Sequence, residues 1–76
     1  METISSRGRS LIRSRFGAAL RAQIKAHGRD AVALKMGVSD GATRAWESGT
    51  NPSYSACLRY ATILGIDPRT GEAVPS

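Results

Sequence analysis

The side chains that could do chemistry in this chain are mostly arginines. The 76 residues hold 11 Lys and Arg against 6 Asp and Glu, a single His27 and a single Cys57. No carboxylate pair, nucleophile elbow, phosphate loop or metal-ligand cluster can be assembled from them, so the sequence predicts neither an enzyme nor a metal or cofactor site. His27 precedes Gly28 at a helix end, where a cation suits the helix dipole. Cys57, alone, excludes an internal disulfide and reads as a small buried or half-buried apolar residue; with no neighbouring base it is not expected to be a reactive thiol. What remains is recognition by charge and hydrogen bonding. The guanidinium group forks onto phosphate oxygens or onto the O6/N7 edge of guanine.

The basic residues are unevenly placed. Residues 1–29 carry Arg7, Arg9, Arg13, Arg15, Arg21, Lys25 and Arg29 against Glu2 alone, whereas residues 30–76 hold four basic and five acidic residues. Such an asymmetry is a solvated basic helix with a frayed tail, an electrostatic footprint for phosphates or, less readily, a surface for an anionic membrane. No apolar run approaches the about 18 residues needed to span a bilayer, and no apolar stretch follows the basic N-terminus as in a signal peptide. A cytoplasmic, nucleoid-associated protein with no membrane partner and no evident small-molecule ligand is expected.

The elements that must position these arginines follow from apolar spacing and punctuation. Residues 1–9 lack apolar period and read as a flexible basic arm. Ile12, Phe16, Leu20 and Ile24 recur every four residues, a single stripe of a helix from about Ser10, its cap, to His27. Gly17 interrupts that helix at a cost of about 1 kcal/mol relative to Ala. A short second helix, Arg29–Met36, has the small Ala33 where a neighbour must approach closely. Gly37 ends it in a left-handed conformation, Val38 plugs the turn, and Ser39 caps a third helix over Asp40–Ser48. Thr43 and Trp46 then face back onto Val32 and Met36. Gly49-Thr50-Asn51-Pro52 is a turn by composition, and Ser53 caps a fourth helix over Tyr54–Leu64 with Cys57, Leu58, Ala61 and Leu64 inward. Asp67-Pro68 looks like the start of a fifth helix of at most a turn or two.

With these residues placed, the chain resembles the Cro/C1-type (XRE) helix-turn-helix family of phage repressors and small bacterial regulators. The resemblance runs from Phe16 to Pro68. It rests on Leu20-Arg21, Ala33, Gly37-Val38-Ser39, Trp46-Glu47-Ser48-Gly49, Pro52-Ser53, Ala61 and Leu64-Gly65-Ile66. Thr43 stands where the family usually has Ile or Val, keeping the branched shape and adding a hydroxyl able to bond back to a helix carbonyl. The resemblance implies an all-α, compact four- to five-helix lambda-repressor-like domain over residues 10–68, with residues 1–9 as arm and 69–76 as a short tail. It also implies an Arg21–Glu47 ion pair between helices one and three.

If the third helix enters a major groove, its outward residues are Asp40, Gly41, Arg44 and Ala45. Arg44 is the foremost base reader, against phosphate contact or an ion pair with Asp40 four residues earlier. Asp40 either accepts from cytosine N4 or serves the helix dipole, and Ala45 can touch a thymine methyl. Arg29, Ser39, Thr50 and Asn51 flank that helix as phosphate donors, with Arg7, Arg9 and Arg13 following the backbone as an arm. Trp46 belongs to the core. The function expected is a sequence-specific duplex-DNA-binding regulator, most simply a repressor acting as a homodimer on a palindromic operator. The alternatives are an antitoxin-type autoregulator that also binds a toxin, and a protein-interaction module that keeps the fold without specific DNA binding.

Overall fold

The computed structural model describes residues 6–74. Their order is α1 (Ser6–His27), α2 (Arg29–Met36), α3 (Asp40–Glu47), α4 (Tyr54–Leu64), then β1 (Ile66–Asp67) and β2 (Glu72–Ala73). The molecule is mostly helical and compact, with a Cα radius of gyration of 11.9 Å. No helix among the described residues is long and apolar enough to cross a membrane.

The four-residue stripe of α1 supplies the spine of the core. Ile12, Phe16, Leu20 and Ile24 are all buried, and around them close Val32 and Met36 from α2, Cys57, Ala61 and Leu64 from α4, and Ile66 from β1. Phe16 and Leu20 are fully buried; each such side chain contributes about 1.5–3 kcal/mol on leaving water. Leu58, expected on the inward side of α4, is instead half exposed. It lies one position past Cys57 and about 100° round the helix from it, which turns it away from α1.

Two expectations at the chain ends are corrected. The first helix is not capped by Ser10; it begins at Ser6, so Arg7 and Arg9 are helical residues and not part of a flexible arm. The remainder of that arm, residues 1–5, lies outside the described residues. The fifth helix is replaced by a two-stranded antiparallel hairpin that pairs Ile66 with Ala73 and Asp67 with Glu72. Asp67 does act at a turn, but as a β-turn residue: its carbonyl accepts from the Thr70 and Gly71 amides, and its carboxylate accepts from the Arg69 amide. Arg15 Nη1 donates to the Arg69 carbonyl, fastening the hairpin to α1.

Candidate nucleic-acid interface

The α2–α3 unit is held by its local chemistry. Gly37 adopts φ 70°, a region costly for any side chain with a Cβ, and its amide donates to the carbonyls of Ala33 and Leu34. The Val38 amide also donates to Ala33, so the carbonyl of this half-buried alanine closes the turn. Ser39 Oγ accepts from the Ala42 amide and caps α3. Thr43, one turn in, is fully buried and its hydroxyl donates to the Ser39 carbonyl at 2.7 Å. Trp46 is half-buried against the core and meets Tyr60 with ring centroids 6.1 Å apart, tilted by 57°.

With Thr43 turned inward, Asp40, Gly41 and Arg44 are exposed and Ala45 is half-buried. A Cβ at Gly41 would meet only Ser39 Oγ, at 4.0 Å, so nothing within the fold demands glycine there. Arg44 is the most exposed charge of this face, its side chain 66 % accessible, yet it is not free: its Nε lies 2.8 Å from Asp40 Oδ2. The other Asp40 oxygen accepts from Arg29 Nε at 3.1 Å, and Arg29 Nη1 donates to Glu47 at 3.3 Å. The result is a line of alternating charges, Glu47–Arg29–Asp40–Arg44, running between α2 and α3. Partial desolvation opposes the charge on Arg29, but the hydrogen bond and charge of Asp40, with Glu47 and Asp30 beyond, outweigh it and hold its pKa above the ordinary arginine value.

This line redistributes several expected roles. Glu47 pairs with Arg29 and not with Arg21. Arg21 Nη1 donates instead to Asn51 Oδ1 at 3.2 Å and reaches the Trp46 carbonyl at 3.5 Å. The long arginine of α1 meets the α3–α4 turn before it can reach the carboxylate. Arg29 is engaged by two carboxylates, so its charge is not an unpaired phosphate clamp. Asn51 is half-buried with its side-chain oxygen committed to Arg21, a structural post in the turn. Ser39, although exposed, spends its hydroxyl oxygen on the α3 cap; Thr50 is exposed past the other end of α3, its amide donating to the Ala45 carbonyl.

The basic N-terminal helix is similarly divided. Arg13 is half-buried; its Nε donates to the Pro52 carbonyl at 2.9 Å and its Nη2 to the Asn51 carbonyl at 3.5 Å, so it ties α1 to the α3–α4 turn instead of reaching outward. Arg9 stacks its guanidinium 5.4 Å from the centre of the Tyr54 ring, at the start of α4. Arg7 is exposed. Arg9, Ser10, Arg13, Ser53 and Tyr54 line one shallow cleft, a basic flank that the sequence alone could not join because its members are some 40 residues apart, as the 39-residue separation of Arg13 and Pro52 shows.

No group of His, Cys, Asp and Glu among the described residues is placed to hold a metal ion. Cys57 is fully buried, its thiol donating to the Pro52 carbonyl at 3.7 Å. Burial pushes that thiol's pKa up, with the Arg13 charge pulling weakly the other way. The chain matches no known family, no curated protein and no solved structure.

Proposed function

We propose that this chain is a sequence-specific double-stranded DNA-binding regulator of the helix-turn-helix kind, most simply a repressor that occupies operator DNA with α3 in the major groove. The observation that carries the reading is the two-sidedness of α3. Thr43 is fully buried on one side, while Asp40, Gly41 and Arg44 are exposed on the other. A short, capped helix braced in this way by a preceding helix at a tight turn is what a groove-reading element requires. The basic excess of residues 1–29 supplies the sequence-independent attraction, with Arg7 and Arg9 on the helix that leads into the domain. The regulator acts as a homodimer on a two-fold operator. Leu58 and Val74, each half exposed across the groove between α4 and the hairpin, offer apolar area of the kind a subunit contact covers. No catalytic step and no cofactor enter the reading.

A second reading, a protein-interaction module or toxin-binding antitoxin, draws on Leu34, which is 85 % exposed on α2, and on the two carboxylates that offset Arg29 and Arg44. An NMR titration of the labelled chain with duplex DNA separates the two. Regulation through α3 predicts shifts at the amides of the α2–α3 turn and α3; shifts absent there while α2 responds to a protein partner would favour the second reading.

A further inference from the structure

We infer that Asp40 is a positioning residue that presents Arg44 to a guanine, and that it reads no base of its own. The inference rests on the proposal that α3 enters a major groove. The guanidinium has five N–H donors in a fixed fork. In Arg44 the Nε side lies against Asp40 Oδ2 at 2.8 Å, and no ion pair of Arg44 with any other described residue competes for Nη1 and Nη2. That leaves the terminal pair, the edge that matches the O6 and N7 acceptors of guanine. A long side chain 66 % exposed would otherwise sample many rotamers. The carboxylate four residues earlier on the same face holds it to the subset compatible with the pair, so less freedom is lost on binding.

Asp40 is itself held. Its second oxygen accepts from Arg29 Nε at 3.1 Å, and Arg29 is fixed from its other end by Glu47 at 3.3 Å. Both Asp40 oxygens therefore face arginines. This argues against the alternative in which Asp40 accepts from cytosine N4, because that contact would have to displace an arginine from a carboxylate already shared by two. The shared carboxylate also explains how an acidic residue is tolerated on a face meant for a polyanion: its charge is matched on both sides.

The test is selection of bound sequences from a library of randomised duplexes by the full chain and by Asp40→Ala, Arg44→Ala, Glu72→Ala and the Asp40→Ala/Arg44→Ala double variant. Melting temperatures of all five proteins are measured alongside. Asp40→Ala and Glu72→Ala each remove one negative charge, so non-specific attraction rises in both. The wild-type chain is expected to select guanine at one position of the half-site. Arg44→Ala loses that preference, and Asp40→Ala weakens it at the same position by about two- to tenfold, the cost of ordering one long side chain. The double variant loses no more than Arg44→Ala, and Glu72→Ala, an exposed residue of β2 outside the line of paired charges, keeps the preference. Asp40→Ala retaining the guanine preference, losing a different base position, or binding every duplex more weakly with a lowered melting temperature would each overturn the positioning role while leaving the reading by Arg44 intact. A wild-type chain that selects no sequence would overturn the proposed function, and this inference with it.

Discussion

Asn51 Oδ1 occupies the space that a Cβ at Gly17 would need, in the middle of α1. The same oxygen accepts from Arg21 Nη1 at 3.2 Å. A glycine that looks like a flaw in the longest helix is thus the gap into which the α3–α4 turn is keyed.

The consequence is a sign reversal. In an exposed helix interior, Gly→Ala stabilises by about 1 kcal/mol. Gly17→Ala is expected to destabilise instead, because the new methyl displaces Asn51 and loosens its bond to Arg21. Urea denaturation of Gly17→Ala, Asn51→Ala and the double variant checks this: the penalty of Gly17→Ala should largely vanish when Asn51 is already alanine.

Arg13 is expected to carry stability. Its bonds to the Pro52 and Asn51 carbonyls join α1 to the same turn from one helical turn before Gly17. Arg13→Ala is expected to cost about 1–2 kcal/mol, the range for a partly buried charged hydrogen bond, measured by thermal or urea unfolding. Arg7→Ala, on an exposed residue of the same helix, should leave stability within about 0.5 kcal/mol.

The buried hydroxyl of Thr43 is dispensable, but its volume is not. The Ser39 carbonyl that accepts from Thr43 Oγ1 also accepts from the Thr43 amide, so removing the hydroxyl leaves no orphan acceptor. Thr43→Val should therefore change stability by less than about 1 kcal/mol, whereas Thr43→Ala opens a void and costs more. Circular-dichroism melting of the two variants decides it.

Cys57 should be inert in the folded chain. It is fully buried and burial raises its thiol pKa, so at mildly alkaline pH the native protein holds it as the unreactive thiol. Reaction with a chromogenic disulfide is expected to be slow in buffer and fast in denaturant. The sign for stability follows: a pKa raised in the folded state favours folding below the unfolded value, and that contribution is lost as pH rises through the folded pKa.

The middle of the fold is legible in the sequence because its punctuation is chemical. Gly37, Ser39, Ser53 and Gly65 mark α2, α3 and α4, and each does so through a cap or left-handed turn that a short residue pattern encodes. The ends are less legible. Ser6–Ser10 carries no apolar period, so nothing local distinguishes an arm from a helix, and it is the neighbouring Tyr54, far along the chain, that meets Arg9. Two-residue strands such as Ile66–Asp67 are too short to show alternation. At the candidate interface, helical spacing identifies the outward residues of α3, including the Asp40–Arg44 neighbours. It does not say which side chain each arginine takes: Arg21 and Arg29 both approach α3, and only their three-dimensional reach gives the Asn51 amide to the first and the Glu47 carboxylate to the second.

The central claim is that α3 reads DNA sequence, and fluorescence anisotropy tests it most directly. The protein and Arg44→Ala are titrated onto duplex DNA from upstream of the chain's own coding sequence and onto a shuffled duplex, across ~50–200 mM salt. Tight binding to the upstream duplex that persists as salt rises, with preference over the shuffled duplex lost in Arg44→Ala, is the predicted result. Equal and steeply salt-dependent binding to both duplexes, unchanged in Arg44→Ala, would contradict it.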